Sequence, residues 1–127
     1  MDRLFITGGS GTIGRAFIRK YRKQYKIYSF ARNEKAQTSL KRNFPEIEIV
    51  FGSVENNIEL NHAIRIAKPK ILIHAAALKH VDTAEKQPSL AIKSNILGSL
   101  NVVESAIENN IKISIGILCF FMKSIQS

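Results

Sequence analysis

An apolar run, Leu4-Phe5-Ile6-Thr7, breaks into glycines spaced Gly8-x-x-Gly11-x-x-Gly14, and Ile13, Phe17, Ile18 and Tyr21 then follow at helical spacing. The order is therefore buried strand, tight turn, helix. Without a Cβ, glycine reaches positive φ at little cost and lets a ligand lie against the backbone. The first turn of a helix also presents unpaired N–H groups to an anion. Together these are the physics of the first β-turn-α unit of a dinucleotide-binding fold. The alternative is a structural turn that joins a strand to a helix and binds nothing.

The rest of the chain alternates in the same way. Lys26–Ala31 reads as a second strand, followed by a short helix with Leu40 and Phe44 inward and stopped by Pro45. Ile47–Phe51 is a third strand closed by Gly52, and Leu60, Ala63, Ile64 and Ala67 mark a third helix. Pro69 precedes a fourth strand, Ile71–His74, with Ala75-Ala76-Ala77 just beyond it. A long helix is expected from about Pro88-Ser89 to Asn109-Asn110, with Ile92, Ile96, Leu100, Val103 and Ile107 as one inward apolar stripe. Ile111–Leu118 is a fifth strand. Alternation at this spacing predicts an α/β fold, a Rossmann-like doubly wound parallel sheet of about five strands with right-handed crossovers. The ligand crevice is then expected where the winding reverses, with the glycine turn opposite Ala75–Lys79.

The 127 residues bound the chain to a single domain, and 45% hydrophobic with 23% charged residues is ordinary globular composition. Met1-Asp2-Arg3 leads straight into a strand, so no signal peptide is read at the start. No run reaches the roughly 18 apolar residues of a membrane span. Cys119 is the single cysteine and allows no internal disulfide. The expected location is cytoplasmic, with no membrane partner. No Cys/His cluster has zinc spacing, so no metal is expected; His74 reads as a strand-end packing residue and His80 as a loop residue. The formal charge of +9 is less ordinary, and Arg15, Arg19, Lys20, Arg22, Lys23 and Lys26 carry much of it. No nucleic-acid motif accompanies this charge, so it reads first as a solvated helix face, with a basic nucleotide-binding or nucleic-acid-binding module as the competing reading.

At the end of the second strand an acidic residue suits the ribose of NAD, whereas an arginine suits the phosphate of NADP. Arg32 comes first here and Glu34 two residues later, which favours NADP over NAD. Thr7-Gly8-Gly9-Ser10-Gly11-Thr12-Ile13-Gly14 resembles the turn of the extended short-chain dehydrogenase/reductases. Ala31-Arg32-Asn33-Glu34-Lys35 is similar to a Ser-Arg-Asp-Glu stretch of one branch. His74-Ala75-Ala76-Ala77-Leu78-Lys79-His80-Val81, Ala84-Glu85, Pro88 and Asn95-Ile96-Leu97-Gly98 are more particular. They resemble the polysaccharide-biosynthesis dehydratases, especially the N-terminal part of the inverting UDP-N-acetylglucosamine 4,6-dehydratases.

That resemblance implies a reaction at tightly held NADP, in which hydride leaves sugar C4, water is eliminated across C5–C6, and hydride returns to C6. It implies that Gly8, Gly11 and Gly14, with Ser10, Thr12 and Ile13, wrap the pyrophosphate. Arg32, Asn33 and Lys35 lie towards the adenosine phosphate, and Ser53 and Val54 beside the adenine. Ala75 and Ala76 line the cofactor cleft, Lys79 reaches cofactor or substrate, and Asn95 steadies the ribose region. The implied partner is a UDP-sugar, with a homo-oligomer left open; a sugar-nucleotide epimerase of the same fold is the alternative within the enzyme class.

The chain departs from the family pattern in three places. Ser53-Val54 stands where the family has Asp-Val, and Asn33 replaces an aspartate. After about residue 117 the family continues with a Ser-Thr-Asp-Lys segment and a Tyr-x-x-x-Lys helix, whereas this chain reads Leu118-Cys119-Phe120-Phe121-Met122-Lys123-Ser124-Ile125-Gln126-Ser127. None of Tyr21, Tyr25 and Tyr28 has a lysine four residues on. The expectation is a cofactor-binding domain over residues 1–117, an aberrant tail over 118–127, no catalytic residue, and a fragment without activity.

Overall fold

A computed structural model describes residues 1–75 and 88–115, with side chains for residues 1–75 and 97–112. The strands are β1 (Asp2–Thr7), β2 (Tyr25–Ala31), β3 (Glu48–Phe51), β4 (Ile71–His74) and β5 (Lys112–Ile115). The helices are α1 (Thr12–Tyr21), α2 (Glu34–Asn43), α3 (Asn57–Ala67) and α4 (Pro88–Glu108). All strand pairs are parallel, in the order β3-β2-β1-β4-β5. The doubly wound fold read from the sequence is the observed one.

Alternation along β1 divides the core between the two faces of the sheet. Leu4 and Ile6 join Ile18, Ile27, Leu40, Phe44 and Ile47 beneath α1 and α2. Phe5 joins Phe30, Leu60, Ile64, Leu72, Val102 and Ala106 beneath α3 and α4. The helices that follow β1 and β4 therefore leave on opposite sides of adjacent strands. That divergence opens the crevice at the C-terminal edge.

Local signals set the helix limits. Asn33 caps α2 through its side-chain oxygen, which accepts from the Ala36 N–H at 2.9 Å, and Asn56 caps α3 by accepting from Glu59 at 3.1 Å. Phe44 leaves helical geometry at φ −133°, ψ 78°, as a residue before proline must. Gln37 is the polar anchor of the α2 side. It is fully buried, accepts from Ser29 Oγ at 2.8 Å, and donates to the carbonyls of Ser29 at 2.8 Å and Val50 at 3.1 Å.

The long helix α4 begins at Pro88 as expected, but its inward face is not the expected one. Leu100 is 53% and Ile107 69% exposed, while Asn101, Val102, Ser105 and Ala106 are buried. Two hydrogen-bonding constraints turn the helix this way. Asn101 Nδ2 donates to the carbonyls of Val54 at 2.9 Å and Glu55 at 3.1 Å, and Ser105 Oγ donates to Asn61 Oδ1 at 2.6 Å. Close packing adds a third, since a Cβ on Gly98 would stand 2.8 Å from Val54 Cγ2. Apolar spacing alone does not register such polar contacts, and Leu100 and Ile107 are left to solvent with Val103 half-buried, while the side chains of Ile92 and Ile96 lie outside the described residues.

Two substitutions check these anchors. Gln37→Leu removes the donor to the Ser29 and Val50 carbonyls and the acceptor of Ser29 Oγ, and is expected to cost about 2–4 kcal/mol in urea unfolding. Asn101→Ala is expected to cost about 1–3 kcal/mol and to raise amide exchange selectively over residues 53–56. Wild-type stability in either variant would show that the corresponding contact is dispensable.

Candidate functional site

The site gathers where β1, β2, β3 and β4 end. Gly8 takes φ 75°, a left-handed conformation, and its carbonyl accepts from the Gly11 N–H at 3.2 Å to close the turn. The three glycines play different parts. A Cβ at Gly14 would lie 2.2 Å from the Gly8 oxygen and 2.6 Å from the Gly9 Cα, so Gly14 lets α1 pack directly on the turn. A Cβ at Gly11 would meet nothing nearer than the Gly8 oxygen at 3.5 Å. Protein packing therefore does not require glycine at 11; what it leaves is open space at the mouth of a helix. Gly9, outside the spaced triplet, is a packing glycine, since a Cβ there would meet Ser29 Oγ at 2.9 Å.

Gly11 is the N-cap of α1, and no side chain caps the helix. Its first turn also carries no acidic residue, so the N–H groups and the positive end of the helix dipole are left to an outside anion. Thr12 and Ile13 lie exposed there. Arg15 braces the turn, donating from Nε to the Ser10 carbonyl at 3.0 Å and from its guanidinium to Ser39 Oγ at 3.4 Å. Sequence reasoning counted Arg15 only as surface charge.

Across the crevice, Ala75 is buried and its N–H extends the ladder to the Thr7 carbonyl at 2.9 Å. Thr7 and His74 face each other in register, with Thr7 Oγ1 and His74 Nδ1 2.6 Å apart, while His74 Nε2 lies 3.2 Å from Ser99 Oγ. This buried chain ties the ends of β1 and β4 to α4. His74 is a strand-end structural residue in this setting. Among the described residues no group of three or more His, Cys, Asp or Glu side chains gathers as a metal site.

Arg32 and Lys35 are exposed where β2 gives way to α2, and Asn33 between them spends its side-chain oxygen on capping. Ser53 lies in the turn after β3, its Oγ accepting from the Glu55 N–H at 3.2 Å, and Asn101 holds Val54 by its carbonyl. A shallow cleft lined by Ser53, Glu55 and Asn56 opens beside them. The structure thus brings Gly8, Ser10, Gly11, Thr12, Ile13, Gly14, Arg32, Asn33, Lys35, Ser53, Val54 and Ala75 to one edge of the sheet. Ala76 and Lys79 lie outside the described residues, as does the tail beyond Ile115. Asn95 lies on α4, one turn before Gly98.

The residues that sequence reasoning passed over here are Arg15, Gln37, Ser99 and Asn101. Ser105 joins them, since no periodicity in the sequence gives the partners Val54, Glu55 and Asn61 that hold Asn101 and Ser105.

Comparison with known proteins agrees with this architecture. The family model described as polysaccharide biosynthesis protein matches residues 4–118. The inverting UDP-N-acetylglucosamine 4,6-dehydratase of Campylobacter jejuni is 35% identical over 114 residues, covering 86% of this chain and 34% of that protein. A UDP-glucose 4-epimerase of Rickettsia rickettsii is also 35% identical, over 116 residues, covering 85% of this chain and 33% of that one. Among solved structures, Pen from Bacillus thuringiensis superposes with a TM-score of 0.78 at 28% identity, over 90% of this chain and 36% of that one. WbmG of Bordetella bronchiseptica, solved with NAD, gives 0.73 at 25% identity over 89% of this chain and 36% of that one. The chain spans about a third of the length of the curated relatives it matches. With a parallel 3-2-1-4-5 sheet, a glycine turn at its switch point and a family match over nearly all its residues, the chain belongs to the polysaccharide biosynthesis protein family.

Proposed function

We propose that this chain is the dinucleotide-binding portion of an enzyme that modifies nucleotide-activated sugars. The observation that carries the reading is the uncapped, acid-free N-terminus of α1 beside the open face of Gly11. The residues present fit a dinucleotide: the N–H groups of the first helical turn at 12–14 suit a pyrophosphate, the Gly11 N–H being held by the Gly8 carbonyl, and the crevice between β1 and β4 suits an extended ligand. Such a cofactor supplies hydride acceptance and return, and this chain's residues bind and orient it.

Arg32 and Lys35 support NADP as the preferred cofactor, because two exposed cations beside the end of β2 favour an additional phosphate. NAD in the solved WbmG is the counterweight. For the chemistry, the Ala75–Val81 resemblance supports 4,6-dehydration of a UDP-N-acetylhexosamine. The epimerase reading stands second, because curated epimerases match this chain at the same 35% identity as the dehydratase. Residues 1–127 contain no Tyr-x-x-x-Lys pair, so within them the role we assign is cofactor binding, with no catalytic residue.

Calorimetric titration of the full chain with NADP and NAD tests the reading. NADP is expected to bind about tenfold or more tightly than NAD, and Arg32→Ala to erase most of that difference. Equal affinities would overturn the NADP preference, and no binding of either would overturn the dinucleotide site. Gly11→Val is expected to lower the melting temperature by no more than about 5 °C, loss of the glycine N-cap costing about 1 kcal/mol, yet to abolish binding. No turnover by this chain is expected; a 4-keto-6-deoxy product from UDP-N-acetylglucosamine, or UDP-galactose from UDP-glucose, would overturn the assignment of no catalytic residue and identify a dehydratase or an epimerase respectively.

A further inference from the structure

In a wholly parallel sheet the strand starts and helix ends share one edge, opposite the edge with the glycine turn. Four cations stand side by side along that edge. Lys26 on β2 is in register with Arg3 on β1, the Lys70 N–H bonds to the Arg3 carbonyl, and Lys112 on β5 is in register with Ile71, next to Lys70. All four are exposed. Like charges on neighbouring strands repel, and the fold ties only part of the row down: Arg3 donates to the Ala67 carbonyl at 3.1 Å and Lys26 lies 5.9 Å from the Tyr28 ring centroid. Further cations flank it at the helix ends: Arg19 and Lys20 in the last turn of α1, Arg42 in that of α2 and Arg65 in that of α3. The helix dipole accounts for those at the helix ends and for Arg3, which reaches the last carbonyl of α3, but not for Lys26, Lys70 and Lys112. Asp2, Glu46, Glu48 and Glu108 lie at the same edge, and Asp2 pairs with Lys70 at 3.5 Å and Glu46 with Arg22 at 3.2 Å.

Aliphatic side chains protrude among these charges. Met1 is 84% exposed, Ile66 in the last turn of α3 is 55% exposed, and Ile107 in the last turn of α4 is 69% exposed. Cations spread across both faces of the sheet, interspersed with protruding aliphatics, suit a broad anionic surface with an apolar layer beneath. A nucleic acid offers the first of these and not the second. We propose that the N-terminal edge of the sheet docks on an anionic lipid surface. Docking in this way needs no membrane span. It also leaves the cofactor crevice, at the opposite edge, open to the aqueous side. The cations attract the headgroups, and Met1, Ile66 and Ile107 enter the headgroup layer.

Co-sedimentation of the full chain with vesicles tests this, independently of any cofactor. Binding is expected to vesicles of 30% phosphatidylglycerol in phosphatidylcholine at about 50 mM salt, and to be lost at about 500 mM. Pure phosphatidylcholine vesicles should leave the chain in solution. Lys26→Glu and Lys112→Glu, with Lys23→Glu in the exposed turn between α1 and β2, should together weaken binding at least about twentyfold, with circular dichroism and melting unchanged. Ile66→Ser with Ile107→Ser should weaken it several-fold. Undiminished sedimentation of the folded charge-reversed variant would overturn the proposal. So would equal binding to neutral vesicles, or tight binding to a poly-dT oligonucleotide with none to the anionic vesicles.

Discussion

Everything at the C-terminal edge depends on how closely α1 approaches the turn that feeds it. The Gly14 Cα lies where any side chain would run into the Gly8 carbonyl and the Gly9 backbone. That contact points the first turn of the helix at the crevice. Ile18 then falls into the cluster with Leu4, Ile6 and Ile27, so core packing and helix orientation are one constraint. Displacing α1 by the width of a methyl group would disturb both the buried face and the uncapped end that faces the crevice. Gly11 lies in the same turn but answers to no such packing demand.

The remaining supports act on the same edge from other directions. Arg15 fixes the turn at Ser10, Gln37 locks the end of β2 to α2 and β3, and the Thr7–His74–Ser99 chain joins β1, β4 and α4. Asn101 holds the turn after β3. The crevice is thus framed by buried and part-buried polar contacts rather than by apolar packing alone. Such contacts are costly to break singly.

Much of this was legible in the sequence because the signals were strong and local. Apolar alternation and the glycine spacing were enough for β1, the turn and α1, and Pro45 and Pro69 marked where elements end or begin. His74 read as structural because it closes an apolar strand. The face of α4 did not read correctly. Its apolar residues suggested one buried stripe, whereas Asn101 and Ser105 won the interior by satisfying Val54, Glu55 and Asn61. A hydrogen-bond partner far along the chain leaves no periodic trace. Arg15 and Gln37 went unread for the same reason, since each becomes structural only through an atom that the fold brings to it. The charge excess was visible as a number, but its gathering at the edge opposite the crevice needed the strand register.

The measurement that bears most directly on the central claim is amide chemical-shift mapping of the isotope-labelled full chain titrated with NADPH and with NADH. The largest shifts are expected at residues 8–14, with further shifts at 31–35, 53–55 and 74–75, and little change at Arg3, Lys26 or Lys112. Absence of shifts in the glycine turn, or shifts confined to the opposite edge of the sheet, would contradict it.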